Sequence, residues 1–194
     1  PSRFLLALME RASIKPVVGS PAVDICRMHK DAWEMEEMRK ASAGNDRVME
    51  RTIRQLREGM TERELAAIMT KIYDEEGMPR VAFDPLICFG ENGAFPHHET
   101  GDSKLKPGDS VIIDTGHRWG TYCSDMTRTV FFKSCTDEQR NVYDIVNKAN
   151  RAGESIARPG IALRDVDAAA RNVIIAAGYG EFFTHRTGHG IGID

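Results

Sequence analysis

Long apolar runs are missing from this sequence: none approaches the roughly 20 residues a membrane-spanning helix needs. No charged-then-apolar segment opens the chain, so no secretory signal is expected in it. A basic excess is missing too. Lys plus Arg number 26 against 29 Asp plus Glu, a formal net charge of -3, which argues against nucleic acid as a partner. No CxxC pair occurs; Cys26, Cys88, Cys123 and Cys135 are scattered and read as reduced thiols of a reducing, cytoplasmic compartment. There is no phosphate loop, no GxSxG elbow and no supported Cys–His pair. The remainder is ordinary globular material: 194 residues, 41% hydrophobic and 28% charged, enough for one sizeable domain or two small ones. The chain begins at Pro1 and stops at Asp194 inside a glycine-rich run, so a fragment is expected.

Helical patterns dominate the first part. A short helix is expected from Arg3 to Arg11, an extended stretch from Lys15 to Ser20, and a linker at Gly19-Ser20-Pro21. From about Lys30 to Arg57 an apolar stripe (Trp33, Met35, Met38, Ala41, Val48, Met49, Ile53, Leu56) predicts a helix with a weak point at Gly44-Asn45. Thr61-Glu62-Arg63-Glu64 has the form of a capping box, opening a helix that stops at Gly77. Strands are expected at Leu86–Gly90, Ser110–Asp114 and Met126–Lys133, with a turn at Pro107-Gly108-Asp109. A second capping box at Thr136 opens a helix to about Ile156, and another helix spans Leu163 to Ala177. Grouped strands and helices favour an α+β fold.

The chain also resembles itself. Displaced by 101 residues, Arg57–Gly77 falls on Arg158–Gly178, with identities at Arg57/Arg158, Gly59/Gly160, Arg63/Arg164, Ala67/Ala168 and Gly77/Gly178. Duplication of a helix-plus-strand unit would place a shared site between two pseudo-symmetric halves.

Chemistry concentrates in three places. In Val111–Phe132 two apolar strands flank a polar centre. A reversal between Trp119 and Gly120 would set Asp114 directly opposite Asp125, and two carboxylates that close call for a cation between them. In His185-Arg186-Thr187-Gly188-His189-Gly190 the glycines disfavour a helix, whereas an extended segment points both imidazoles to one side. Pro96-His97-His98-Glu99 forms the third cluster. His29 and His117 stand apart and read as surface or structural histidines. Two Asp and one His suit Mn, Fe, Co or Zn at a hydrolytic site.

From about Asp24 to Asp194 the motifs ENGAFPHHE, LKPGDSVIIDTG, SDMTRTVFF, QRNVYDIVNKANRAG, RPG and HRTGHGIGID occur in order. In these the chain resembles the catalytic domain of prolidase and aminopeptidase P, Xaa-Pro metallopeptidases of the creatinase-like pita-bread fold. The resemblance implies duplicated halves around an antiparallel sheet and a pair of divalent metal ions, manganese first, with cobalt, zinc and iron as alternatives. Carried over residue by residue, Asp114, Asp125 and His189 match metal ligands. His97 and His185 match the histidines that contact substrate and steady the tetrahedral intermediate. Two further glutamate ligands would lie beyond residue 194, so this polypeptide alone is expected to bind metal weakly and to be inactive. Residues 1–23 resemble the tail of an upstream domain, and 24–194 a catalytic domain lacking its C-terminal part. His185–Asp194 is then expected to be a strand.

The activity so implied is hydrolysis of X–Pro bonds in a di- or oligopeptide by a metal-bridging hydroxide, in a homodimer, with neither nucleic acid nor membrane as partner. An alternative is a relative of creatinase or ectoine hydrolase cleaving a non-peptide C–N bond. A third is a non-catalytic binding module, but such relatives have generally lost the ligands, and Asp114, Asp125 and His189 are all present.

Overall fold

Two hydrogen bonds start the fourth helix as the capping box predicts. The Thr61 side chain accepts from the Glu64 backbone N–H at 3.1 Å, and the Glu64 carboxylate accepts from the Thr61 N–H at 2.8 Å. In this computed structural model, residues 3–13, 18–78, 80–96 and 98–194 are described. Six α-helices are present among them: α1 (Arg3–Ala12), α2 (Ser20–Met28), α3 (Ala32–Ile53), α4 (Glu62–Glu75), α5 (Asp137–Ile156) and α6 (Leu163–Ala176). The strands are β1 (Val81–Phe89), β2 (Ser110–Trp119), β3 (Tyr122–Cys123) and β4 (Met126–Phe131). The chain divides into two units, Pro1–Glu36 and Glu37–Asp194. The second contains every candidate site residue.

Two sequence expectations change in the helical part. Gly19-Ser20-Pro21 is not a linker: α2 begins at Ser20, and Pro21 sits in its first turn, where a missing N–H breaks no helical bond. The extended stretch expected from Lys15 falls largely outside the described residues. Gly44-Asn45 does not interrupt α3. α3 passes Met78 closely at Gly44, where a Cβ would come within 2.2 Å of the Met78 sulfur and require that side chain to shift. Asn45 is buried and bonded: its Nδ2 donates to the Thr115 carbonyl at 3.1 Å, and its Oδ1 accepts from the Tyr73 hydroxyl. In the apolar stripe of α3, Ala41, Val48 and Met49 are buried and Ile53 is partly buried, while Trp33 and Met35 are exposed.

The sheet is antiparallel, with β2 in the middle, β1 on one side, and β4 and β3 on the other. Side chains alternate along β2. Val111, Ile113, Thr115 and His117 are buried, and the first two join Leu65, Met69, Ile72, Tyr73 and Val48 in the main core. β1 reaches back to Val81, beyond the expected Leu86. Register shifts on both sides of Phe83 break the alternation that would mark those residues as a strand. The second half has a smaller core in which Ala149 of α5 meets Ala170 and Ile174 of α6.

The repeat is visible in atomic detail. α4 and α6 start and end 101 residues apart. Gly77 and Gly178, just past them, have φ of 72° and 87°. The bonds that close the helices correspond one for one: Met78 N–H to Tyr73 O at 2.9 Å, and Tyr179 N–H to Ile174 O at 3.1 Å. Beyond these closing bonds the two copies diverge. β1 comes after α4, whereas no strand covers 185–194, contrary to the strand expected there. Gly188, Gly190 and Gly192 give that stretch little preference for extended pairing, and it docks on β3 through a Cys123 N–H to Gly192 O bond of 2.7 Å.

Candidate metal centre

The β2–β3 hairpin reverses on Gly120-Thr121, one residue later than the spacing of the two aspartates suggests. Trp119 pairs with Tyr122 and Arg118 with Cys123, and Gly120 takes a left-handed φ of 58°, as the first central residue of such a turn requires. The same register continues into β4, where Asp114 pairs with Thr127. Asp114 and Asp125 are therefore not directly opposite. Asp125 lies two residues before Thr127, a diagonal neighbour on the same face, with side chains close enough to interact.

Each carboxylate has a distinct surrounding. Asp114 is half-buried and accepts from the Thr127 hydroxyl at 2.8 Å. Burial pushes its pKa upward. The Thr127 hydrogen bond opposes that, the Asp125 charge adds to it, and His189 offsets it in part. Asp125 is more open and meets His189, with Oδ2 3.2 Å from Nε2.

The tautomer of His189 is set by its other nitrogen. Nδ1 lies 2.8 Å from the Gly190 carbonyl, which can only accept, so Nδ1 carries the proton. In the neutral ring, the Nε2 lone pair then faces a carboxylate oxygen. That arrangement calls for a proton or a metal ion at Nε2, and a backbone carbonyl on the remote nitrogen is the usual way a metal-ligating imidazole is oriented. Donors at about 2.1 Å from a shared ion and about 90° apart stand about 3 Å from each other, close to the separation seen. The donor chemistry fits a divalent ion. Among the described residues no group of three His, Cys, Asp or Glu converges closely enough to hold one, so Asp114 stands beside the Asp125–His189 pair without joining it.

His185 is exposed, and its Nδ1 donates to the Arg186 carbonyl at 3.1 Å, leaving Nε2 for chemistry. His97 lies outside the described residues. Its neighbour His98 brings in a residue that sequence reasoning passed over. Glu62, fully buried, accepts from His98 Nε2 at 2.7 Å, Asn92 Nδ2 at 2.7 Å, and the backbone N–H groups of Phe89 at 2.8 Å and Gly101 at 2.9 Å. Burial pushes its pKa up, but these donors outweigh that and hold it below the usual glutamate value. In sequence, Glu62 is one more acid in the first turn of a helix. Only its place inside the capping box, next to a turn, hinted at more.

The chain belongs to metallopeptidase family M24, whose model matches residues 36–194. It is 39% identical over 164 residues to an uncharacterized peptidase of Staphylococcus aureus strain MSSA476, covering 84% of this chain and 47% of that one. Among solved structures it resembles the prolidase from Pyrococcus furiosus, with a TM-score of 0.91 and 33% identity over 100% of this chain and 58% of that one. It also resembles the X-Pro aminopeptidase from Thermotoga maritima MSB8, with a TM-score of 0.87 and 38% identity over 90% of this chain and 49% of that one. The chain spans about half the length of the curated relatives it matches. The pita-bread fold implied by the sequence motifs is the fold observed. Among the described residues no helix is long and apolar enough to cross a membrane.

Proposed function

We propose that the protein containing this chain is a metal-dependent peptidase that cleaves X–Pro bonds, using residues 24–194 as part of its catalytic domain. The observation that carries this reading is the contact of His189 Nε2 with Asp125 Oδ2 at 3.2 Å, beside a half-buried Asp114. Asp125 and His189, with Asp114 drawn in beside them, would hold divalent metal, manganese before cobalt, zinc or iron. When bound, a metal pair supplies a hydroxide nucleophile at neutral pH and polarises the scissile carbonyl.

The chain's own residues do the rest. With Nδ1–H tied to the Arg186 carbonyl, His185 works through Nε2. Neutral, that atom takes a proton; protonated, it donates to the oxyanion that develops on the substrate carbonyl. His97 is assigned to substrate contact. The Glu62–His98 pair anchors the loop that follows β1 and so supports that role. An X–Pro amide has no N–H, so a site that makes no demand on that hydrogen can accept it. A homodimer in the cytoplasm remains part of this reading.

The test is release of free amino acid from Ala-Pro, Leu-Pro and an X-Pro-Y tripeptide by the natural gene product containing this chain, loaded with Mn²⁺ and then stripped with chelator. Chelator-sensitive release of proline from the dipeptides supports a dipeptidase, and release of the first residue from the tripeptide an aminopeptidase. No hydrolysis of any of the three by the metal-loaded protein overturns the reading.

A further inference from the structure

Asp167 and Arg171 stand one turn apart on α6 and together grip the segment that carries both histidines of the second half. Asp167 Oδ1 accepts from the Thr187 backbone N–H at 2.8 Å and from the Thr187 hydroxyl at 2.9 Å. Arg171 Nε donates to Asp167 Oδ2 at 2.9 Å. Its Nη1 donates to the Phe183 carbonyl at 2.7 Å and its Nη2 to the His185 carbonyl at 2.8 Å, while the guanidinium lies 4.5 Å from the centre of the Phe183 ring.

An i,i+4 pair on a helix surface is ordinarily a minor helix-stabilising contact. Here the pair's other hydrogen bonds go to residues 183, 185 and 187, in a stretch with no strand pairing to hold it. The planar fork of Arg171 bridges two carbonyls two residues apart while its face covers Phe183; a lysine, with one charged nitrogen on a flexible stem, reproduces neither feature. Thr187 sits midway between His185 and His189, so fixing its backbone fixes the approach of both rings.

We propose that Asp167 and Arg171 are positioning residues that lock the Phe183–Thr187 backbone and thereby bring His189 to Asp125 and leave His185 Nε2 free to act. The proposal rests on the reading of Asp125 and His189 as metal-holding groups. The first half shows the same device with different chemistry: Glu62, at the start of α4, fixes the Phe89–Gly101 loop through two backbone N–H groups, Asn92 and His98.

The test uses the whole chain with Asp167→Ala and, in case that variant folds poorly, Arg171→Lys. Amide hydrogen exchange across 183–189 and across α6, the ring resonances of His185 and His189, and Mn²⁺ affinity by titration are the readouts. The expected result is exchange at Thr187 at least about tenfold faster, displaced histidine resonances, and Mn²⁺ affinity lower by about 10–100-fold, with exchange in α6 unchanged. Unchanged histidine resonances in both variants would overturn the proposal. So would loss of protection in α6 together with the segment, the mark of a merely structural pair. Wild-type Mn²⁺ binding by Asp125→Asn would refute the metal reading instead; the exchange rates and ring resonances still judge the hold by themselves.

Discussion

Thr127 stands across the ladder from Asp114 and donates its hydroxyl to the carboxylate at 2.8 Å. This bond uses one lone pair of Oδ1 and restrains the rotation of the Asp114 carboxylate. A hydroxyl in this position does for Asp114 what the Gly190 carbonyl does for His189: it fixes how the donor is presented. Thr127→Val keeps the shape and removes the bond. Mn²⁺ affinity of the chain is expected to fall by about tenfold with little change in the thermal midpoint. Calorimetric titration with Mn²⁺ beside a melting curve checks this; equal affinity in the variant would make Thr127 a bystander.

Made in the natural gene product that contains this chain, Asp125→Asn and His185→Ala should separate metal holding from chemistry. The amide of Asp125→Asn preserves size but loses the charge that balances a cation, so bound metal and metal-dependent hydrolysis should both be lost while the fold persists. His185→Ala should keep metal and lower kcat by about 10²–10³, the usual cost of removing a donor to the intermediate. Elemental analysis and peptide hydrolysis on the same preparations decide it. Normal metal content in Asp125→Asn would reduce that residue to a strand charge.

Glu62 makes a prediction about acid. Its folded pKa lies below the ordinary glutamate value of 4.5. The stability it provides is therefore complete above that value and fades as pH falls through it toward the folded value. Glu62→Gln should cost about 2 kcal/mol at neutral pH, because the amide cannot satisfy all of the donors that surround the carboxylate. It should also flatten the acid limb below pH 4.5. Urea midpoints at about pH 7 and about pH 3.5 test both effects; an acid limb as steep as wild type would place its origin elsewhere.

His117 predicts a second, separate window. It is fully buried, stacks on Tyr73 with ring centres 4.6 Å apart, and has no hydrogen-bond partner for either ring nitrogen among the described residues. Burial pushes its pKa from 6.5 down to about 4. Between these values the unfolded chain binds the extra proton, so stability rises with pH across the window and is complete above 6.5. At roughly 1.4 kcal/mol per pH unit, that slope amounts to about 3 kcal/mol in all. His117→Phe should retain the stack and remove the slope. Denaturation midpoints at about pH 5 and about pH 7 measure it, and an undiminished slope in the variant would exonerate His117.

The sequence carried much of this architecture in local signals. Both capping boxes, the glycine stops and the repeat are readable because each depends on residues a few places apart. The hairpin register was harder, since Trp119-Gly120 and Gly120-Thr121 are both plausible turn centres and one step between them moves the partner of Asp114 from Asp125 to Thr127. The linker reading at Gly19-Ser20-Pro21 failed because the same proline that breaks a helix interior is welcome in its first turn. Asp167 and Arg171 were invisible for another reason. Their i,i+4 spacing is that of any surface ion pair, and the carbonyls and amide they grip lie 12 to 20 residues away.

The alternation along β2 ties two properties to one another. Val111, Ile113, Thr115 and His117 turn inward, and Asp114 turns the other way from between two of them. The strand therefore works as a gauge: whatever sets the depth of Ile113 in the core sets the height of the Asp114 carboxylate on the opposite face. A substitution that loosens Ile113 would misaim Asp114 without touching it, and would be scored in an activity screen as damage to the metal centre. Tolerance at these buried positions is thus bounded by the chemistry on the far side of the sheet as well as by the packing on their own.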